Sequence, residues 1–368
     1  KDTSIASSAD TPVALALDGA GKPRVAFLDS GYPGALMFSQ ATGLSGGWWS
    51  WDRAKVARQG GSVGIVSLAL DAHSSAPVVS YCDLHEDVLK FARRGDNGWI
   101  AQTVDGMSDH CANTVLALDG TGQAHILYLV GMALKYARQT TGGWQLETLD
   151  PSSGSIVFGL AVDSASRPHV VFRHYITTST ADLIYATRTA AGWQRETLIT
   201  GYGRGYDPAL ALNNQGQPRV VYVDNLGAGS ELRYAYRDTT GWHTETVKSA
   251  AGAIYESPAL ALDSHDVPNI VYPSYEQSHV NFYLTRRYAS GWQSEFVAGY
   301  PTPPETGYPM VSLALGPGGQ PHVAFSDWSS DNSVRYGTRD DAGWTFQRLA
   351  GYLGTPELKV DQANMPHL

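Results

Sequence analysis

A short apolar segment closing on Asp or Asn returns about every fifty residues along the whole chain. Only a fold with internal repetition accommodates that. The copies run 15–18, 68–71, 116–119, 160–163, 210–213 and 260–263, with 313–316 and 358–361 as seventh and eighth. A turn follows each, often with Gly and Pro (Gly21, Pro23; Gly216, Pro218; Gly319, Pro321). There the Asp or Asn side chain can accept bonds from turn amides, and Gly supplies the positive φ of a hairpin loop. A second strand comes next, as in Val78-Val79-Ser80-Tyr81 and Arg219-Val220-Val221-Tyr222. A third, such as Leu134-Lys135-Tyr136-Ala137-Arg138, leads through a short turn to a fourth. The fourth opens at Trp99, Trp144, Trp193, Trp242, Trp292 and Trp344, with Trp48 in the first copy, and carries Glu-Thr at Glu147, Glu196 and Glu245. The strands are β-branched and aromatic, and no stretch has helical periodicity.

Four short antiparallel strands per repeat, the first rich in small residues (Ala16, Ala69, Ala117, Ala161, Ala211, Ala261, Ala314), describe the blade of an all-β propeller. Strands that converge on an axis have room only for small side chains, and diverging outer strands leave gaps for Trp and Tyr. One blade cannot bury both of its faces alone, whereas a closed ring can. The chain is expected to form one domain, 1–368, with repeats near 11–56, 62–106, 110–150, 155–200, 205–249, 255–299 and 307–350. Residues 355–368 and 1–8 read as first and fourth strands of one further blade, with its third strand missing. Eight blades are therefore expected, with a seven-bladed ring as the alternative.

Charged residues make up only 17 % of the 368, and the net charge is −9. An acidic chain without a basic tract argues against a nucleic-acid partner. No run of eighteen apolar residues exists to span a membrane as a helix. Lys1, in place of an initiator Met, reads as the start of a processed or trimmed chain. Few Lys with abundant Gly, Ser, Thr, Tyr and Trp suits an extracytoplasmic protein, secreted or periplasmic, and a monomer is expected.

The loops after strand two and those leading into strand one fall on one face, around the axial funnel. They vary between repeats, whereas the opposite turns are uniform, and variable loops on a rigid scaffold are where binding sits. Asp29, Asp83, Asp224 and Asp327 occupy one position at the end of strand two and read as turn-initiating residues or ligand contacts. Arg173-His174 break that pattern. Entering strand one, His110-Cys111, Arg204, Tyr206-Asp207, Tyr255-Glu256 and Tyr308 stand out. His110, His174, Arg173, Arg204 and Tyr206 form the candidate catalytic set, because His and Tyr transfer protons and Arg neutralises a carboxylate. Tyr255, Tyr308 and Trp328 are candidate ligand contacts. Cys82, His85, His110 and Cys111 present three alternatives: a tetrahedral zinc site, a Cys82–Cys111 disulfide, or free thiols. Zinc and calcium are the cofactor candidates. His125, His169, His322 and His367 share one repeat position and read as structural. Arg93, Arg138, Arg188, Arg237, Arg286 and Arg339 read as a solvated outer face.

The Leu-Ala-Leu-Asp, Pro-x-Val-x-Tyr, Leu-x-Tyr-Ala-x-Arg and Gly-Trp-x-x-Glu-Thr strands resemble those of bacterial β-propeller repeat proteins over the whole chain. The WD40, kelch and sialidase Asp-box signatures are absent. The resemblance implies a superfamily of lectins, polysaccharide lyases, hydrolases and interaction modules, among which fold alone does not choose. Two functions follow as expectations. One is a recognition propeller binding a glycan or protein at its funnel. The other is an enzyme with a single central site, a polysaccharide lyase or a metal-assisted hydrolase.

Overall fold

The computed structural model describes residues 13–29, 35–45, 48–58, 63–106, 109–154, 158–177, 180–202, 205–225, 229–250, 253–254, 257–301, 309–327, 333–349 and 356–368. Among them are seven four-stranded antiparallel sheets and one two-stranded sheet, with no helix. The four-stranded blades are blade 1 (13–58), blade 2 (63–106), blade 3 (111–150), blade 4 (158–202), blade 5 (206–250), blade 6 (259–301) and blade 7 (311–348). Within each, the strands pair in chain order. The first strands of successive blades lie side by side, and the ring is closed by the Lys359–Val360 strand, which touches the first strands of blades 7 and 1.

Among the described residues the ring has seven full blades, the alternative that was expected, and the place of the expected eighth holds a two-stranded sheet, Lys359–Val360 against Pro366–His367. Residues 1–8, expected as its outer strand, lie outside the described residues. The small sheet is fastened on both sides. Leu15 donates its amide to Glu357 Oε2 (2.8 Å) on the blade 1 side, and Leu358 donates to Ser312 Oγ (3.1 Å) on the blade 7 side.

Each seam is filled by the residues that repeat. The fourth-strand Trp meets a third-strand aromatic of the preceding blade edge to face: Trp99 on Phe38, Trp144 on Phe91, Trp193 on Tyr136, Trp242 on Tyr185 and Trp292 on Tyr234, at 5.0–5.3 Å between centroids. In blades 1 to 6 the fourth strand also carries a β-bulge. The extra residue turns inward, and Val56, Val104, Leu149, Val247 and Val297 are buried there. The bulge also re-aims the residue after it towards the funnel face, a position held by Asp105 and Asp150.

The third-strand arginines are exposed or partly exposed, as expected, but they occupy two repeat positions with different partners. Arg188, Arg237, Arg287 and Arg339 pair across the seam with Glu147, Glu196, Glu245 and Glu295 of the preceding blade. Arg93, Arg138 and Arg286 sit one residue earlier, nearer the turn face. The repeated histidines are structural. His125 Nδ1 is 2.6 Å from Tyr136 Oη and its Nε2 3.4 Å from Asp119, and His169 repeats this with Tyr185 and Asp163. Burial lowers the pKa of both imidazoles.

Candidate functional site at the funnel face

Strand two of blades 1 to 5 delivers its sixth residue into the seam with the next blade. The sixth residues of all the blades are Leu28, Cys82, Leu129, Val223, Pro273 and Ser326, all apolar or small, and in blade 4 Arg173. Arg173 is nonetheless only 6 % exposed. Its guanidinium carbon stands 3.9 Å from the centroid of Tyr206, the first residue of blade 5, and 4.8 Å from that of Tyr175. Nη1 donates to Tyr175 Oη at 2.9 Å, while Nε is buried without an acceptor. Two half-buried tyrosine rings therefore enclose a cation that the repeat would fill with a Leu or Val. A desolvated cation–π contact of this kind is worth about 2 kcal/mol.

Tyr206 is set by its neighbours. Gly205, at φ +67°, donates its amide to the buried Asp224 (2.9 Å). A Cβ on Gly205 would lie 2.7 Å from Leu183. Beyond Tyr206, Asp207 adopts φ +40° and accepts a bond from Ser257 Oγ of the next repeat at 3.1 Å. Burial raises the Asp207 pKa, and Ser257 and the Arg173 charge only partly oppose it. Arg173, Tyr175, Tyr206, Asp207 and Ser257 thus come together from three consecutive repeats.

His174 does not join them. Side chains alternate along a strand, so His174 faces the opposite seam, where Nδ1 lies 2.9 Å from Asp150 of blade 3. Arg195 Nη2 reaches the same fully buried carboxylate at 2.5 Å, and the Ser152 amide bonds Oδ1 at 2.9 Å. His174 fills the repeat position that Asp29, Asp83, Asp224 and Asp327 hold elsewhere, so the carboxylate comes from the neighbouring blade instead. Asp83 serves its own loop, accepting from the amides of His85 and Glu86 and pairing with Lys90 at 3.2 Å, and Asp327 pairs with Arg335. These contacts fit the turn-initiating reading.

Cys82 and Cys111 are joined as a buried disulfide with Cα atoms 5.4 Å apart. This corrects the zinc expectation, since the proposed four-ligand set loses both thiolates. His85 is exposed, and His110 points outward to Asp87 (Nδ1 at 2.9 Å), which raises its pKa. Among the described residues no three His, Cys, Asp or Glu side chains cluster as metal ligands. Arg204, Tyr255, Tyr308 and Trp328 lie outside the described residues.

Sequence reasoning named Asp207 beside Tyr206 without giving it a role, and passed over Asp150 and Asp105. The last accepts from Tyr128 Oη (2.8 Å) and pairs with Lys135 (2.6 Å). The signal was the residue two places after each Glu-Thr-type pair, where the bulge reverses the facing. It also passed over a crevice of about 590 Å³ on the same face between blades 5 and 6, lined by Lys248, Glu276, His279 and Asn281 among others. The Gln277–Ser278 turn at its rim has both residues at positive φ.

No family model matches the chain, and no curated protein matches it. Among solved structures it is similar to polysaccharide lyase Uly1, at 9 % identity over 92 % of this chain and 89 % of that one, with a TM-score of 0.52. A structure from a study of two prolyl endopeptidases matches at 14 % identity over 87 % of this chain and 47 % of the other, with a TM-score of 0.50. An Aleuria aurantia lectin in complex with Fucα1-6GlcNAc matches at 13 % identity over 94 % and 97 %, with a TM-score of 0.46. At such identities the likeness concerns the fold alone.

Proposed function

We propose that this chain is a recognition propeller that binds a glycan at its funnel face, at the seam between blades 4 and 5. The supporting observation is Arg173, a nearly buried cation at a repeat position that folds well with Leu, Val or Pro. Its cation–π contacts are offset by the cost of burying the charge, so it is read as serving the surface above it. Arg173 is a positioning residue, holding the Tyr175 and Tyr206 rings in place before a ligand arrives. The half-exposed rings offer apolar faces to the C–H face of a pyranose. The two phenols, Ser257 and Asp207 supply the donors and acceptors that sugar hydroxyls need. The buried disulfide supports an oxidising, extracytoplasmic setting.

One observation favours a second reading. A carboxyl whose pKa is raised by burial, beside a cation and a tyrosine, is a candidate general acid, and Asp207 is such a group. That reading makes the seam the single central site of a glycan-cleaving enzyme. Titration calorimetry against glycans selected on an array separates the two. Recognition predicts saturable binding with intact glycan recovered, and affinity reduced about tenfold or more in Tyr206→Ala. Unchanged affinity in folded Tyr206→Ala and Tyr175→Ala proteins contradicts the site. Cleaved product from the parent protein that disappears in Asp207→Asn replaces recognition with catalysis.

A further inference from the structure

On the opposite face, beside the uniform turns, a cavity of about 210 Å³ opens between blades 3 and 4. Arg138, Arg167 and Arg188 line it, with Tyr136, Ser166 and Thr189. Two of the three guanidiniums are neutralised: Arg167 pairs with Asp163 at 2.7 Å and Arg188 with Glu147 at 2.8 Å. Arg138 is not. Its Nε is buried and meets no acceptor, and no carboxylate pairs with it among the described residues.

The repeat shows why. In blade 6 the equivalent Arg286 pairs with Asp263 of its own first turn, at 2.5 Å. Blade 6 has Asn269 where blade 3 has His125. Both aspartates accept turn amides on Oδ1, but in blade 3 the Oδ2 of the corresponding Asp119, the oxygen that Arg286 takes on Asp263, faces His125 Nε2 at 3.4 Å. In blade 2, Arg93 Nη2 reaches the Gly122 carbonyl and the Gln139 side-chain oxygen at 3.5 Å. Of the three arginines at this position, only Arg138 is without a hydrogen-bond acceptor or a counterion among the described residues.

We infer that this cavity binds a tetrahedral oxoanion, a sulfate or phosphate group, with Arg138 as its principal ligand. A guanidinium with no carboxylate contact among the described residues, and three guanidinium groups in all around a space of this size, match such a group. Planar guanidinium donors also suit its oxygens better than an ammonium would. The same chemistry serves a free inorganic ion or a sulfate ester on a sugar chain. The site is independent of the funnel-face seam.

The test is calorimetry with sodium sulfate, sodium phosphate and a monosulfated disaccharide, at constant ionic strength set with sodium chloride. The parent protein is expected to bind sulfate or phosphate saturably. Arg138→Gln should weaken that at least tenfold, Arg138→Lys less, and Arg173→Leu not at all. Binding of the disaccharide as tight as that of sulfate assigns the site to an ester. Binding of the free ions alone assigns it to an inorganic ligand. Equal affinity in the parent and Arg138→Lys, or no saturable heat with any of the three probes, overturns the inference. The Lys variant keeps the charge and guards against a folding failure in Arg138→Gln.

Discussion

The seam between blades 2 and 3 and the seam between blades 4 and 5 use the same repeat position in opposite ways. In the first, Cys82 leaves strand two and bonds covalently to Cys111 at the start of the next blade. In the second, Arg173 leaves strand two and stacks on Tyr206 at the start of the next blade. The disulfide is buried, with Cys82 and Cys111 at 0 % and 1 % exposure, and leaves no polar group to offer. The arginine seam keeps two half-exposed rings, a carboxyl and a hydroxyl together. A seam locked by a covalent bond serves stability. A seam built on a buried charge gives up some stability for a surface, which is how sites arise within otherwise regular folds.

The largest effect expected from breaking this contrast lies at the covalent seam. Replacing both cysteines by Ser should lower stability by about 3–4 kcal/mol, the loop-closure value for a separation of this order, and leave glycan affinity unchanged. Denaturant unfolding and titration of the same sample check both halves. At the other seam, Gly205→Ala imposes a Cβ on a positive-φ residue and presses it against Leu183. It should cost about 2 kcal/mol and displace Tyr206, so here stability and binding fall together. Arg173→Leu sharpens the contrast further by restoring the repeat's apolar residue. Stability should stay within about 1 kcal/mol of the parent, since exchanging a buried charge for a hydrophobe is often neutral, while affinity drops about tenfold. A large loss of stability with affinity intact would make Arg173 structural.

The smallest effect concerns pH and separates the ring as a whole from the site. His125, His169 and His322 have pKa values lowered by burial. The fold therefore favours their neutral forms. Their contribution is complete above the ordinary histidine value of about 6.5 and is lost as pH falls below it. Asp207 and Glu357 carry raised values, so their contribution has the opposite sign: present below the ordinary carboxylate range and lost as pH rises through the raised value. Replacing the three histidines by Asn, the residue blade 6 uses at Asn269, should flatten the fall in melting temperature between neutral and mildly acid pH. An unaltered slope would remove the histidines from the acid response.

The blade pattern was legible because strand period, turn chemistry and the Gly-Trp signature all recur, and each alone implies a sheet. Blade number was not, because 358–361 repeats the apolar first strand of the seven full blades. At the site, Arg173 and Tyr206 stood out as departures from the repeat, and they meet. His174 is adjacent to Arg173 in sequence, but strand alternation sends it to the other seam. Asp207 stood out beside Tyr206 but without a role, because a positive φ decides where it faces, and Asp150 escaped notice because a bulge does the same; neither is written in residue type. The arginine-to-glutamate bridges went unforeseen because a seam partner about 42 residues away leaves no mark in the local sequence.

Hydrogen–deuterium exchange with and without the selected glycan compares the two seams in one experiment. Protection is expected in peptides covering 172–176 and 205–208, with no change in those covering 81–83 and 110–112. Protection confined to other blades, or equal at both seams, would contradict a ligand site built on Arg173 and Tyr206.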